Sequence, residues 1–151
     1  MKSFFPDVNV WLALSYLGHQ RHLVAATWFD GLQSEIAYFS RVTQLSFLRL
    51  VTHPGVMGED MKSQSEAWRT YNGFLSDERV SFCLEPNAEQ LEFTFRKLTA
   101  GHHASSKQWP DAYLSAFAQT ADLILVTFDR ALHSMTGNYS LTGGHSTSGG
   151  R

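Results

Sequence analysis

One cysteine, four prolines and no excess of either charge narrow the field before any motif is read. A lone thiol, Cys83, cannot form an intrachain disulfide, so no covalent scaffold replaces a packed core. Lys and Arg number 12 against 14 Asp and Glu, a formal charge of −2. A protein that coats nucleic acid without selectivity needs a strong positive excess, and this balance counts against that class. It leaves room for a local basic rim around an acidic centre. No apolar run is long enough to span a bilayer. The apolar start, MKSFFPDVNVWLAL, is interrupted by Asp7 and Asn9, has one lysine before them, and is followed by no small-residue cleavage pattern. It is read as part of the fold and not as a secretion signal. Together these features set the expectation of a soluble protein with no membrane contact, in the reducing cytoplasm.

What is present is a core. At 151 residues and 43% apolar content the chain is long enough for one well-packed domain. Apolar strand-like runs at 3–6, 35–40, 79–84 and 123–127 alternate with helical spacing at 8–17, 20–32, 41–52, 62–75, 87–100 and 109–121. Ser40 is placed to cap the third helix, and Pro110 falls in the first turn of the last long one. HPGVMGED reads as a loop. A short helix is expected after Asp129, ending by Gly137. This alternation predicts a three-layer α/β/α sandwich around a mainly parallel sheet. The domain is assigned to residues 1–141. Residues 142–151, rich in Gly, Ser and Thr, are expected to be a disordered tail.

Three aspartates mark the edges of widely separated apolar runs: Asp7 in FFPDVNVWLAL, Asp111 in QWPDAYLSAFA and Asp129 in LILVTFDRAL. Isolated charges beside a core are costly. A shared divalent cation would account for all three, and carboxylate oxygens suit Mg²⁺ or Mn²⁺. Such clusters cut phosphodiesters. Asp7 and Asp129 each follow a strand, at the sheet edge where ligands gather in such folds. Taken singly, each aspartate is equally well read as a helix cap or a first-turn acid favoured by the helix dipole.

FPDVNVWLAL, TQLSFLRLVTHPGVMG, WPDAYLSAFA and LILVTFDRAL, in that order, resemble the PIN-domain family, and within it the toxins of VapC-type toxin–antitoxin pairs. The resemblance spans about residues 3–135. It implies a Mg²⁺- or Mn²⁺-dependent endoribonuclease, dimeric, acting on RNA and held inactive by a small antitoxin. Matched position by position, Asp7, Asp111 and Asp129 are its catalytic and metal-holding acids. Asn9 and Thr127 are polar companions standing behind them. Gln44 falls where many members carry Glu, in Thr43-Gln44-Leu45. A neutral carbonyl is a weaker ligand, which leaves one metal against two open. Arg49, Lys107 and Arg130 are candidates for RNA or antitoxin contact. The competing reading is a degenerate PIN domain that binds RNA or protein without catalysis, and Gln44 is its main support.

Overall fold

Short apolar segments build the sheet. The computed structural model describes residues 3–129 and 139–141. Its strands are β1 (Phe4–Pro6), β2 (Ala37–Phe39), β3 (Val80–Phe82), β4 (Ile124–Thr127) and β5 (Tyr139–Ser140). They lie in the order β3-β2-β1-β4-β5, and the four pairings are parallel. Parallel neighbours cannot be joined by tight turns, so long connections intervene. Helices α1 (Val8–Ser15) and α2 (His22–Asp30) link β1 to β2. Helix α3 (Arg41–Val51), the short α4 (Pro54–Met57), a 3₁₀ turn (Gly58–Asp60) and α5 (Gln64–Leu75) link β2 to β3. Helices α6 (Ala88–Leu98) and α7 (Gln108–Thr120) link β3 to β4.

Successive side chains of a strand point to opposite faces, and the core divides accordingly. Phe5 and Leu125 pack with Leu91, Leu114 and Phe117 of α6 and α7 on one face. On the other, Trp11, Phe39, Phe47 and Tyr71 join α1, α3 and α5, with Trp11 stacked on Phe39 at 3.9 Å. Val126, Phe128 and Leu141 complete that side against Val10, Ala13 and Ala25. The three-layer α/β/α sandwich expected from the sequence is therefore present. Cys83 is half-buried against the α6–α7 layer.

Three local features differ from the sequence reading. HPGVMGED is not a plain loop. Pro54 opens α4, the His53 ring accepts from the Gly55 N–H, and Met57 is buried, so local capping and one apolar anchor make the turn helical. Strand β5 was not anticipated, because two residues carry no periodicity. Trp68, an apolar position of the helix expected over 62–75, is 47% exposed and stands outside the core. The helix expected after Asp129 and the tail from Thr142 lie outside the described residues. Among the described residues no helix is long and apolar enough to cross a membrane.

Candidate active site

Strand β1 is followed in sequence by its neighbour on one side, β2, and flanked on the other by β4, so the strand order reverses beside it. Crevices of this kind, at the carboxyl ends of parallel strands, are where open α/β sheets hold ligands. The register pairs Pro6 with Val126, and the Asp7 N–H donates to the Val126 carbonyl at 2.9 Å. Asp7 and the residues following β4 are thereby brought to one edge.

Asp7 is both a cap and a site residue. As N-cap of α1 it accepts from the N–H groups of Asn9 at 2.9 Å and Val10 at 3.3 Å, both at Oδ1. The Thr127 hydroxyl donates to Oδ2. A carboxylate offers about four lone-pair positions; three are engaged, and the remaining one is on Oδ2. Thr127 is fully buried, and its oxygen in turn accepts from the Asp129 N–H at 2.9 Å. One hydroxyl thus ties together the ends of β1 and β4. Asp7 is only 5% exposed. Burial pushes its pKa up to about 6; the bonds from Thr127, Val10 and Asn9 pull it down, and the charge of Asp129 adds to the rise.

Asp111 stands in the first turn of α7, just after Pro110, and is half-buried. Burial raises its pKa, and the Asp129 charge raises it further. Asp129 itself is exposed at the rim. All three aspartates line one cleft of about 160 Å³, with Val8, Asn9, Val42, Thr43, Ser46, Pro110 and Leu114. Among the described residues no three His, Cys, Asp or Glu side chains are gathered tightly enough to hold one ion. The aspartates share a cleft without meeting at a point. Their oxygens, one carboxylate buried and two more facing the same space, fit a hard divalent cation in chemistry. A larger hollow of about 440 Å³ between α6 and α7 has Glu89 as its one acid, so size alone does not mark the site.

Gln44 is not where the sequence reading put it. It is buried, its carbonyl accepts from Arg41, and it bonds the Tyr71 hydroxyl of α5. At about 100° per residue Gln44 points nearly opposite to Ser46. The α3 side chains on the cleft are Val42, Thr43 and Ser46. An i, i+3 pair of hydroxyls, Thr43 and Ser46, was the available signal in the sequence. Arg49 lines a different groove with Leu45, Leu48, Thr52, Gln64, Ala67 and Trp68, which shares no residue with the cleft. Lys107 is exposed at the N-terminus of α7. Arg130 lies outside the described residues. The structure also shows a second groove, of about 310 Å³, lined by Asn9, His19, Arg21, Phe128 and Asp129. Nothing in the aspartate pattern had indicated it. His22, the partner of His19 in an H-x-x-H pattern, donates from Nδ1 to the Ala13 carbonyl at 2.7 Å. That bond fastens α2 to α1.

A family model described as the PIN domain matches residues 4–138. The chain belongs to the PIN-domain family. Within that family it is similar to Ribonuclease VapC41 of Mycobacterium tuberculosis, with 38% identity over 130 residues, covering 83% of this chain and 88% of that one. VapC20 of the same organism, whose structure is described as that of a toxin cleaving the sarcin-ricin loop, superposes with a TM-score of 0.61 at 16% identity, covering 87% and 93% of the two chains. VapBC2 of Rickettsia felis, solved with a DNA fragment from its promoter, gives 0.61 at 11% identity over 91% and 96%. At these identities the two structures establish the fold alone.

Proposed function

We propose that the chain is a metal-dependent endoribonuclease, the toxin of a toxin–antitoxin pair, hydrolysing RNA phosphodiesters at Asp7, Asp111 and Asp129. The observation that carries this reading is one cleft lined by three carboxylates from the ends of β1 and β4 and the start of α7. Membership of the PIN-domain family and the similarity to a VapC ribonuclease support it. A bound Mg²⁺ or Mn²⁺ would supply Lewis-acid polarisation of the phosphate and a water of lowered pKa.

In this scheme Asp7 and Asp129 would hold the ion. Thr127 and the first N–H groups of α1 fix the Asp7 carboxylate, which lines the cleft. Asp111 receives the proton of the attacking water on a carboxylate oxygen whose basicity is raised by its surroundings. The P–O bond to the departing ribose oxygen breaks as the new bond to phosphorus forms, and that oxygen takes its proton from solvent water. Asn9 flanks the phosphate position, and Ser46 offers a hydroxyl from α3, that of Thr43 being held in the cap with Ser40. Gln44 has no part. The partners this reading assigns are RNA, a cognate antitoxin and a second copy of the chain, in the cytoplasm.

The test is cleavage of total cellular RNA by the purified, partner-free protein with Mn²⁺, beside Asp129→Asn and an EDTA control. Discrete fragments that disappear in both controls are expected. Intact RNA with a folded wild-type protein would replace the nuclease with a non-catalytic PIN module.

A further inference from the structure

The second groove shares two lining residues, Asn9 and Asp129, with the aspartate cleft, so the two form one continuous surface. Their chemistry differs. The cleft is acidic; the groove carries a guanidinium and an imidazole. The Arg21 guanidinium lies over the Phe128 ring, 4.8 Å from its centroid. Phe128 is buried at the end of β4, which makes it a fixed platform. Stacking uses the flat face of a guanidinium and leaves its N–H donors, which lie in the plane, for other acceptors. Arg21 is exposed, makes no side-chain cap on α2, and among the described residues pairs with no carboxylate. It is a held cation, and among the described residues its guanidinium donors meet no carboxylate. His19 stands next to it, and its Nδ1 accepts from the Arg21 N–H at 3.0 Å. That bond puts the proton of the neutral ring on Nε2, as a second donor.

We infer that the groove of His19, Arg21 and Phe128 holds the RNA nucleotide adjoining the phosphodiester at the aspartate cleft, with Arg21 on its phosphate. The inference rests on the nuclease reading above. It explains how a chain of net charge −2 attracts a polyanion to an acidic centre: the positive charge is local and pre-oriented beside it. Arg21 is a positioning residue here, acting on the neighbouring nucleotide and not on the scissile bond.

The test uses the full chain carrying Asp7→Asn, so that RNA is bound and not cut, with fluorescein-labelled single-stranded RNA of random sequence in Mg²⁺. Anisotropy gives Kd across a salt series for this parent and for the parent with Arg21→Ala, Arg21→Lys or Arg96→Ala added. Arg96 serves as a remote control, since it lies on α6 in an exposed pair with Glu92. Arg21→Ala is expected to weaken binding about fivefold or more. It should also reduce the slope of log K against log salt by about 0.7, the loss of one phosphate contact on a single strand. Arg21→Lys should keep the slope and lose part of the affinity, because a lysine keeps the charge without the stacked plane. Arg96→Ala should change neither. If Arg21→Ala stays within twofold with the slope unchanged while wild type cuts RNA, the groove belongs to another partner and the nuclease reading stands. If the parent binds no RNA measurably, the inference falls, since a groove that holds a nucleotide must contribute affinity. If wild type also leaves total RNA intact, the nuclease reading falls with it.

Discussion

Asp7 combines two roles that usually compete. It closes the first turn of α1, which favours a charged carboxylate, and it is buried, which disfavours one. Burial wins in the absence of a cation, because it is the largest of the opposing effects. The folded carboxyl titrates near 6 against an ordinary 3.8. Between those values the folded state holds more protons than the unfolded state. The Asp7 contribution to stability without divalent ions is therefore greatest below about pH 4, falls as the pH rises to about 6, and then levels off, a loss on the order of 3 kcal/mol. The raised pKa of Asp111 acts in the same direction. Asp7→Asn keeps an oxygen for the cap, sets an amide N–H donor against the Thr127 hydroxyl in place of Oδ2, and removes the buried charge. Urea unfolding in EDTA from about pH 4 to 8 should show the variant losing less stability than wild type across that window and exceeding it near pH 7.5. RNA cleavage should fall by at least about a hundredfold. A variant that loses activity and stability together at pH 7.5 would mean that Asp7 serves the fold and not the chemistry.

At the scale of the element, α3 shows how helical phase overrides a string match. Ser40 and Thr43 cap each other at its start, which fixes where the helix begins and so which residues face the cleft. Thr43-Gln44-Leu45 resembles the Thr-Glu-Leu run of other family members, yet phase turns Gln44 toward Tyr71 and sends Ser46 to the aspartates. Adding a carboxylate should therefore matter at one position and not the other. Ser46→Glu is expected to tighten Mn²⁺ binding roughly tenfold in calorimetry, since a further charged oxygen enters the cleft. Gln44→Glu should leave the affinity within about twofold, its new charge answered by Arg41. The reverse pattern would restore Gln44 to the site.

For the whole molecule, the sheet supplies the site by placing strands from opposite ends of the sequence side by side. Any ion held by Asp7 and Asp129 bridges the two halves of the sheet and binds only the folded state. At about a hundredfold excess over its Kd such an ion adds about 2.7 kcal/mol. For a domain of this size the melting temperature should rise by about 5 to 10 °C. Scanning fluorimetry with Mn²⁺, against EDTA, measures this directly, and Asp129→Asn should abolish most of the shift. No shift at millimolar Mn²⁺ would favour a PIN domain that binds without cutting. The architecture behind this site was largely legible beforehand. Continuous apolar runs such as LILVT mark buried parallel strands, and Asp7 and Asp129 directly follow two of them. The short β5 and the helical turn at Pro54–Met57 were not legible, because both depend on pairing or on one buried anchor and not on a repeating pattern.

The sequence by itself determined the layered fold and the candidate acids, since burial period, caps and charges at the ends of apolar runs are written in neighbouring residues. Only the tertiary structure decided what stands around those acids. That Thr127 donates to Asp7, that Ser46 faces the cleft in place of Gln44, and that Arg21 rests on Phe128 beside it are contacts between distant segments. They are fixed by strand register and helix phase, which local spacing constrains but does not set.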